Sequence, residues 1–271
     1  MSVPASRLDF ALLDDLAFAA QSSRLSSYRP PRPLAPAGLG PIVELWLLVS
    51  GGLFSPDILE WIPGNAAALL SALRSRRDEW ISANGRIGVC RAVRSDPNAD
   101  ERSTGFQMAV KRAAAQTAGF SGQVPGLLLA GLVELESNVH EHSDAADTGI
   151  IAFRAAPGVF EFVVADAGIG VLRSLGKSKA FSGLRDHGEA LHQALTEGVS
   201  RHGVNAGRGF GFRQVFVGLA DLHGSLRFRS GDHAMTLDGI SPNEKGSRIS
   251  QKVPLQGFFA HVRAMLPQKA R

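Results

Sequence analysis

The chain has almost no cysteine. Cys90 stands alone in 271 residues, so neither an intrachain disulfide nor a CxxC metal site can form. That usage fits a reducing compartment, and the expected localisation is cytoplasmic. Long apolar runs are also missing. The longest, IVELWLLVSGGLF, contains Glu44 and falls short of the ~20 residues needed to cross a bilayer. No transmembrane segment is therefore expected, and the run reads as a buried strand or core segment. The opening MSVPASRLDFALLDD lacks the basic-then-apolar order of a signal peptide. Charge of one sign concentrates nowhere: 13 Lys+Arg stand against 11 Asp+Glu before residue 126, and 16 against 14 from there on. The pI near 9.6 thus describes a mildly basic solvated surface and no specific nucleic-acid signal. No G-x-S-x-G elbow occurs, which leaves a serine hydrolase without support, and no internal repeat is visible.

What is present is the composition of an ordinary globular protein, 44% hydrophobic and 20% charged, with glycines clustered at 168–170 and 207–211. RPPRPLAPAGLGP, residues 29–41, reads as an extended arm or linker. Residues 57–80 read as helix, broken near the start by Pro63-Gly64. A strand is expected at GRIGVCRAV and helices over 104–118 and 126–142, the second opened by Pro125. GIIAFRA and VFEFVVA read as strands joined by a turn. Leu191, Leu195 and Val199 form one helical stripe, NAGRGFG opens another helix, and GSLRFRS and GSRISQKVPL close the chain as strands. The pattern is α+β, a sandwich with helices on one sheet face.

Three segments carry chemistry. In LLLAGLVELESNVHEHS, Glu134, Asn138 and His142 recur at i, i+4 and i+8, a polar stripe on an otherwise apolar helix. An Asn oxygen there suits a hard cation such as Mg²⁺, and a Glu suits orientation or deprotonation of a water. Asp166-Ala-Gly168-Ile-Gly170 ends a strand; a buried carboxylate accepts from the exocyclic amine of adenine, and the glycines let backbone pass close to a base. Gly207-Arg208-Gly209-Phe210-Gly211 opens a helix, where successive N–H groups hold an anion and Arg208 adds a charge-assisted contact. Taken singly, each also fits a plainer reading: a solvated helix face, a tight turn, a flexible loop. A P-loop at Gly176-Lys177-Ser178 is disfavoured, because five residues separate Gly170 from Gly176 where four are required. His140 and His142 diverge by roughly 200° on a helix, and Glu136 with His140 lacks a third ligand.

In order and spacing, ELESNVHEHS, DAGIG and GRGFGF resemble the N, G1 and G2 boxes of the GHKL ATPase superfamily, named for gyrase, a heat-shock chaperone, histidine kinases and MutL. GSRI, residues 246–249, resembles its short G-T-x-F strand motif. The resemblance covers roughly 104–257. It implies a Bergerat-type α/β sandwich at 104–258, with a mixed sheet and helices on one face, and a lid over 171–206. Residues 1–103 form a smaller N-terminal mixed region, and 259–271 a tail. It further implies ATP as ligand, Asn138 on Mg²⁺, Glu134 as catalytic base and Asp166 on adenine. Gly168 and Gly170 would line the base pocket, His142 would lie on the nucleotide side, Gly207, Arg208, Gly209 and Gly211 on the phosphates, and Ser247 would help Asp166 through a water. Lys177, Lys179 and Arg201 would reach phosphate on lid closure.

Within that resemblance, Glu134 points to ATP-hydrolysing members and anti-sigma serine kinases. No histidine precedes His140, so no phosphoacceptor helix of a sensor kinase is expected ahead of the domain, and about sixty residues after the G2 box leave no room for a gyrase-type transducer domain. Glu141 stands where histidine kinases often have a lysine, and would repel a phosphate it faced. Phe210 replaces a common Leu. The resulting expectation is an ATP-driven conformational switch with slow hydrolysis; a serine protein kinase and a non-hydrolysing ATP/ADP sensor are the alternatives. A protein partner would engage the N-terminal region or the lid, and homodimerisation is compatible with each.

Overall fold

The computed structural model describes residues 6–22, 33–75, 77–92, 99–196, 224–238 and 247–267. The chain divides into two compact units, Met1–Arg77 and Asp78–Arg271. In the first, strand β1 (Ser6–Leu8) leads into helix α1 (Phe10–Gln21), capped by the Asp9 carboxylate, which accepts the Leu12 N–H at 3.0 Å. Strand β2 (Leu34–Pro36) pairs parallel with β1, so part of the proline-rich segment expected as a linker is a strand. Helix α2 (Leu39–Ser50) contains most of the long apolar run. It is buried from Leu39 to Leu45, and a helix apolar all round carries no periodicity to set it apart from a strand. The expected break at Pro63-Gly64 separates a 3-10 turn (Pro56–Trp61) from α3 (Asn65–Arg74), with Gly64 at φ +71°.

The second unit contains β3 (Glu79–Ile81), β4 (Ile87–Arg91), α4 (Ala99–Arg112) running into a π-helical turn, α5 (Val124–His142), β5 (Ile150–Ala156), β6 (Val159–Asp166), α6 (Gly170–Gly176), α7 (His187–Thr196), β7 (Ser225–Asp238) and β8 (Arg248–Met265). The sheet order is β3-β4-β5-β6-β8-β7. Every neighbouring pair in it is antiparallel, so the expected mixed sheet is corrected: among the described residues only β1 and β2 pair parallel. Residues 259–265, expected as tail, belong to β8, an inner strand between β6 and β7.

Alternation along the strands separates the faces. Phe153, Phe160, Phe162, Val164, Ala260 and Phe228 share one face and pack against Phe106 and Val110 of α4 and Leu128, Leu132, Leu135 and Val139 of α5. This is the α+β arrangement with helices against one sheet face. The other face carries a charged row in which Glu161 pairs across the sheet with Arg154 and Arg263. No helix among the described residues is long and apolar enough to cross a membrane.

Candidate functional site

Helix α5 buries the face containing Leu128, Leu132, Leu135 and Val139. Glu134, Asn138 and His142 line a half-buried flank beside it, as their spacing predicts. The Asn138 Nδ2 is buried and has no hydrogen-bond partner among the described residues. A buried donor in that state is suited to an acceptor brought by a ligand, such as a phosphate oxygen. Glu141 is exposed and accepts a hydrogen bond from Ser137 Oγ at 3.1 Å.

The C-terminal end of α5 is fastened to the Asp166 turn. Ser143 accepts the Ile169 N–H on its carbonyl at 2.9 Å. Gly168 lies so close that an added Cβ would overlap that carbonyl, with the carbonyl carbon 2.8 Å away. Asn138 stands five residues before Ser143, about 7.5 Å along the helix axis. The fold thereby brings the Asn138 flank and the Asp166 turn to one end of the unit, and nothing local in either segment dictates that.

Asp166 is 3% exposed at the end of β6. Burial pushes its carboxyl up to about 6, against the opposing pull of hydrogen bonds from the Gly168 and Phe258 backbone N–H groups. The Gly168 bond is 2.8 Å long. Side chains grip the residue that follows: Thr148 Oγ1 accepts the Ala167 N–H at 2.9 Å, and Gln256 Nε2 donates to the Ala167 carbonyl at 2.8 Å. Gly170 adopts φ +74°, and a Cβ there would meet Ser230 Oγ at 2.7 Å and the Gly257 carbonyl oxygen at 3.0 Å. These glycines are required because protein backbone and a serine crowd them. Whatever their place beside a ligand, both glycines have a packing role in the turn.

Strand β8 pairs Phe258 with Asp166 and, beyond a register shift at Ser230–His233, Arg248 with Thr236, so Ser247 is not level with Asp166 in the sheet. Besides the Thr148 hydroxyl, that of Ser230 lies beside the turn, where it accepts the Val171 N–H and donates to the Gly257 carbonyl, both at 2.9 Å. Ser143, Thr148, Ser230, Gln256 and Gly257 were not legible as site residues. They come from four separate places in the chain, and only Gly257 carries a sequence cue, a glycine inside an apolar strand.

The expected lid is described in part, as α6, a 3-10 turn at Lys179–Phe181 and α7. Gly176-Lys177-Ser178 does not form a phosphate loop: Gly176 ends α6, and Lys177 Nζ pairs with the Asp144 carboxylate at 2.6 Å. Gly207, Arg208, Gly209, Gly211, Phe210 and Arg201 lie outside the described residues. Among the described residues no group of three or more His, Cys, Asp or Glu is placed to hold a metal ion. A Mg²⁺ carried on nucleotide phosphates needs only one or two protein ligands, so this leaves the Asn138 assignment compatible with the fold. Neither a known family model nor a curated protein matches this chain.

Proposed function

We propose that the protein binds Mg-ATP in the manner of the histidine kinase-like ATPases and acts as an ATP-driven conformational switch with slow hydrolysis. The observation that carries the reading is the buried Asp166 carboxyl on a turn bonded directly to the end of the Asn138 helix. With its carboxyl near 6, Asp166 is charged at neutral pH and accepts from an exocyclic amine, selecting adenine over guanine. Asn138 would hold the Mg²⁺, which neutralises phosphate charge. Glu134, one turn earlier on the same flank, would take the proton of the attacking water, and His142 would extend the flank toward the nucleotide. The 207–211 segment would hold the phosphates through backbone N–H groups, with Arg208 adding charge. Glu141 follows Glu134 by seven residues and so stands about 20° from it around α5; it is exposed and takes a hydrogen bond from Ser137, and would repel a phosphate that it faced. A protein partner at the N-terminal region or the lid would read the switch.

Calorimetry with Mg-ATP and Mg-GTP, on wild type and Asp166→Ala, tests the reading. Binding of ATP but not GTP by wild type, and of neither by the variant, is the expected result. Equal binding of both nucleotides, or ATP binding that survives Asp166→Ala, would remove Asp166 from the site. Phosphate release unchanged in Glu134→Ala would remove Glu134 from the chemistry.

A further inference from the structure

A single buried hydroxyl joins three segments of the second unit. Ser230, 1% exposed, lies on β7 where the pairing register with β8 shifts. Its Oγ accepts the Val171 N–H in the first turn of α6 and donates to the Gly257 carbonyl on β8. Gly257 has φ +77°, and a Cβ there would come within 2.8 Å of the Ala167 Cα. The next residue, Phe258, gives its N–H to the Asp166 carboxylate. A continuous path therefore runs from that carboxylate through Phe258 and Gly257 to Ser230, and from Ser230 into the helix that begins the lid. Gly170 completes the contact, because its missing side chain leaves room for the Ser230 hydroxyl.

We propose that Ser230 is a positioning residue that couples occupancy of the Asp166 turn to the order of α6, so that a bound adenine is registered by the lid. The inference rests on the nucleotide-binding reading above. The physical basis is that the Ser230 hydroxyl donates to β8 and accepts from α6 at once, so one side chain on β7 ties both elements together. A small displacement of the Asp166 turn moves the Gly257 carbonyl, which reorients the hydroxyl and loosens or tightens the Val171 N–H bond. No chemical step passes through Ser230.

Hydrogen exchange on the full chain, with and without a Mg-bound non-hydrolysable ATP analogue, tests the coupling in wild type and Ser230→Ala. In wild type the analogue should slow exchange across residues 170–176 by about tenfold or more. In Ser230→Ala the analogue should still bind, weakened by no more than about tenfold, while that slowing is lost and β5 and β6 exchange as before. Equal slowing of α6 in both proteins overturns the inference and leaves the nucleotide reading intact. Failure of wild type to bind the analogue sinks the reading and the inference with it. If Ser230→Ala does not fold, wild type alone decides: the Val171 amide should exchange together with that of Phe258, and a Val171 amide that exchanges freely while Phe258 is protected overturns the coupling.

Discussion

Asp166 and Glu161 stand on the same strand, and burial by itself pushes both carboxyls upward. For Asp166 burial wins and the carboxyl reaches about 6; for Glu161 the nearby His261 ring and the hydrogen-bonded Arg154 guanidinium outweigh burial and bring it to about 2. The consequences for stability have opposite signs. As pH rises past the ordinary Asp value, the unfolded chain releases its proton first, so Asp166 lowers stability progressively up to about pH 6 and throughout the range above. Glu161 contributes stability above the ordinary Glu value, and that contribution fades as pH falls through the interval toward 2. Denaturant unfolding across pH 3–8 should show Asp166→Asn gaining on wild type between about pH 4 and 6, by on the order of 2 kcal/mol. Glu161→Gln should lose roughly 2 kcal/mol at neutral pH, less than a fully buried pair would because the Arg154 side chain is 33% exposed, and the deficit should shrink in acid. Parallel pH profiles for all three proteins would refute both assignments.

At the scale of elements, Gly168 in the turn after β6 and Gly176 at the end of α6 have different reasons to exist. Gly168 is pressed against the Ser143 backbone, whereas a Cβ at Gly176 would meet nothing within 4 Å. Gly168→Ala should therefore cost about 1–3 kcal/mol and separate the Asp166 turn from α5, since a backbone carbonyl yields less readily than a side-chain tip. Gly176→Ala, at the end of α6, should be neutral or stabilise by up to about 1 kcal/mol. Thermal unfolding of the two variants checks this. Sensitivity at Gly176 with tolerance at Gly168 would revive a phosphate loop at 176–178 and sink the present assignment. The same scale explains which elements were legible. Helix α5 announces itself because one face is apolar and the other polar, and β5 and β6 because they alternate or run β-branched. Helix α2 could not be told from a strand, because burial on nearly every side erases the period. The strand character of 259–265 was masked by treating the last motif as the end of the domain, yet Phe258, Phe259 and Val262 are residues that strands favour.

For the whole molecule, ligand binding and stability are one measurement. A nucleotide present at ~100 times its dissociation constant stabilises the state it binds by about 2.7 kcal/mol, a shift of roughly 5 °C or more for the unit that contains it. Because the chain has two compact units, the shift should appear in the transition that reports the second unit, residues 78–271. Mg-ATP should produce it and Mg-GTP should not. Identical shifts with both, or none with either, would argue against a purine-selective site at Asp166.

By itself the sequence determined the α+β class, the exclusion of an intrachain disulfide, the flank containing Glu134, Asn138 and His142, and the identity of Asp166 as the acid at a strand end. Each follows from periodicity or composition within a short window. Tertiary structure alone decided that β8 inserts between β6 and β7, so that Phe258 rather than Ser247 comes level with Asp166. It also decided that Ser143, Thr148, Ser230 and Gln256 close on the turn, and that its glycines yield space to protein. The reason is physical: strand order and register are set by contacts between segments far apart in the chain, which no local period encodes.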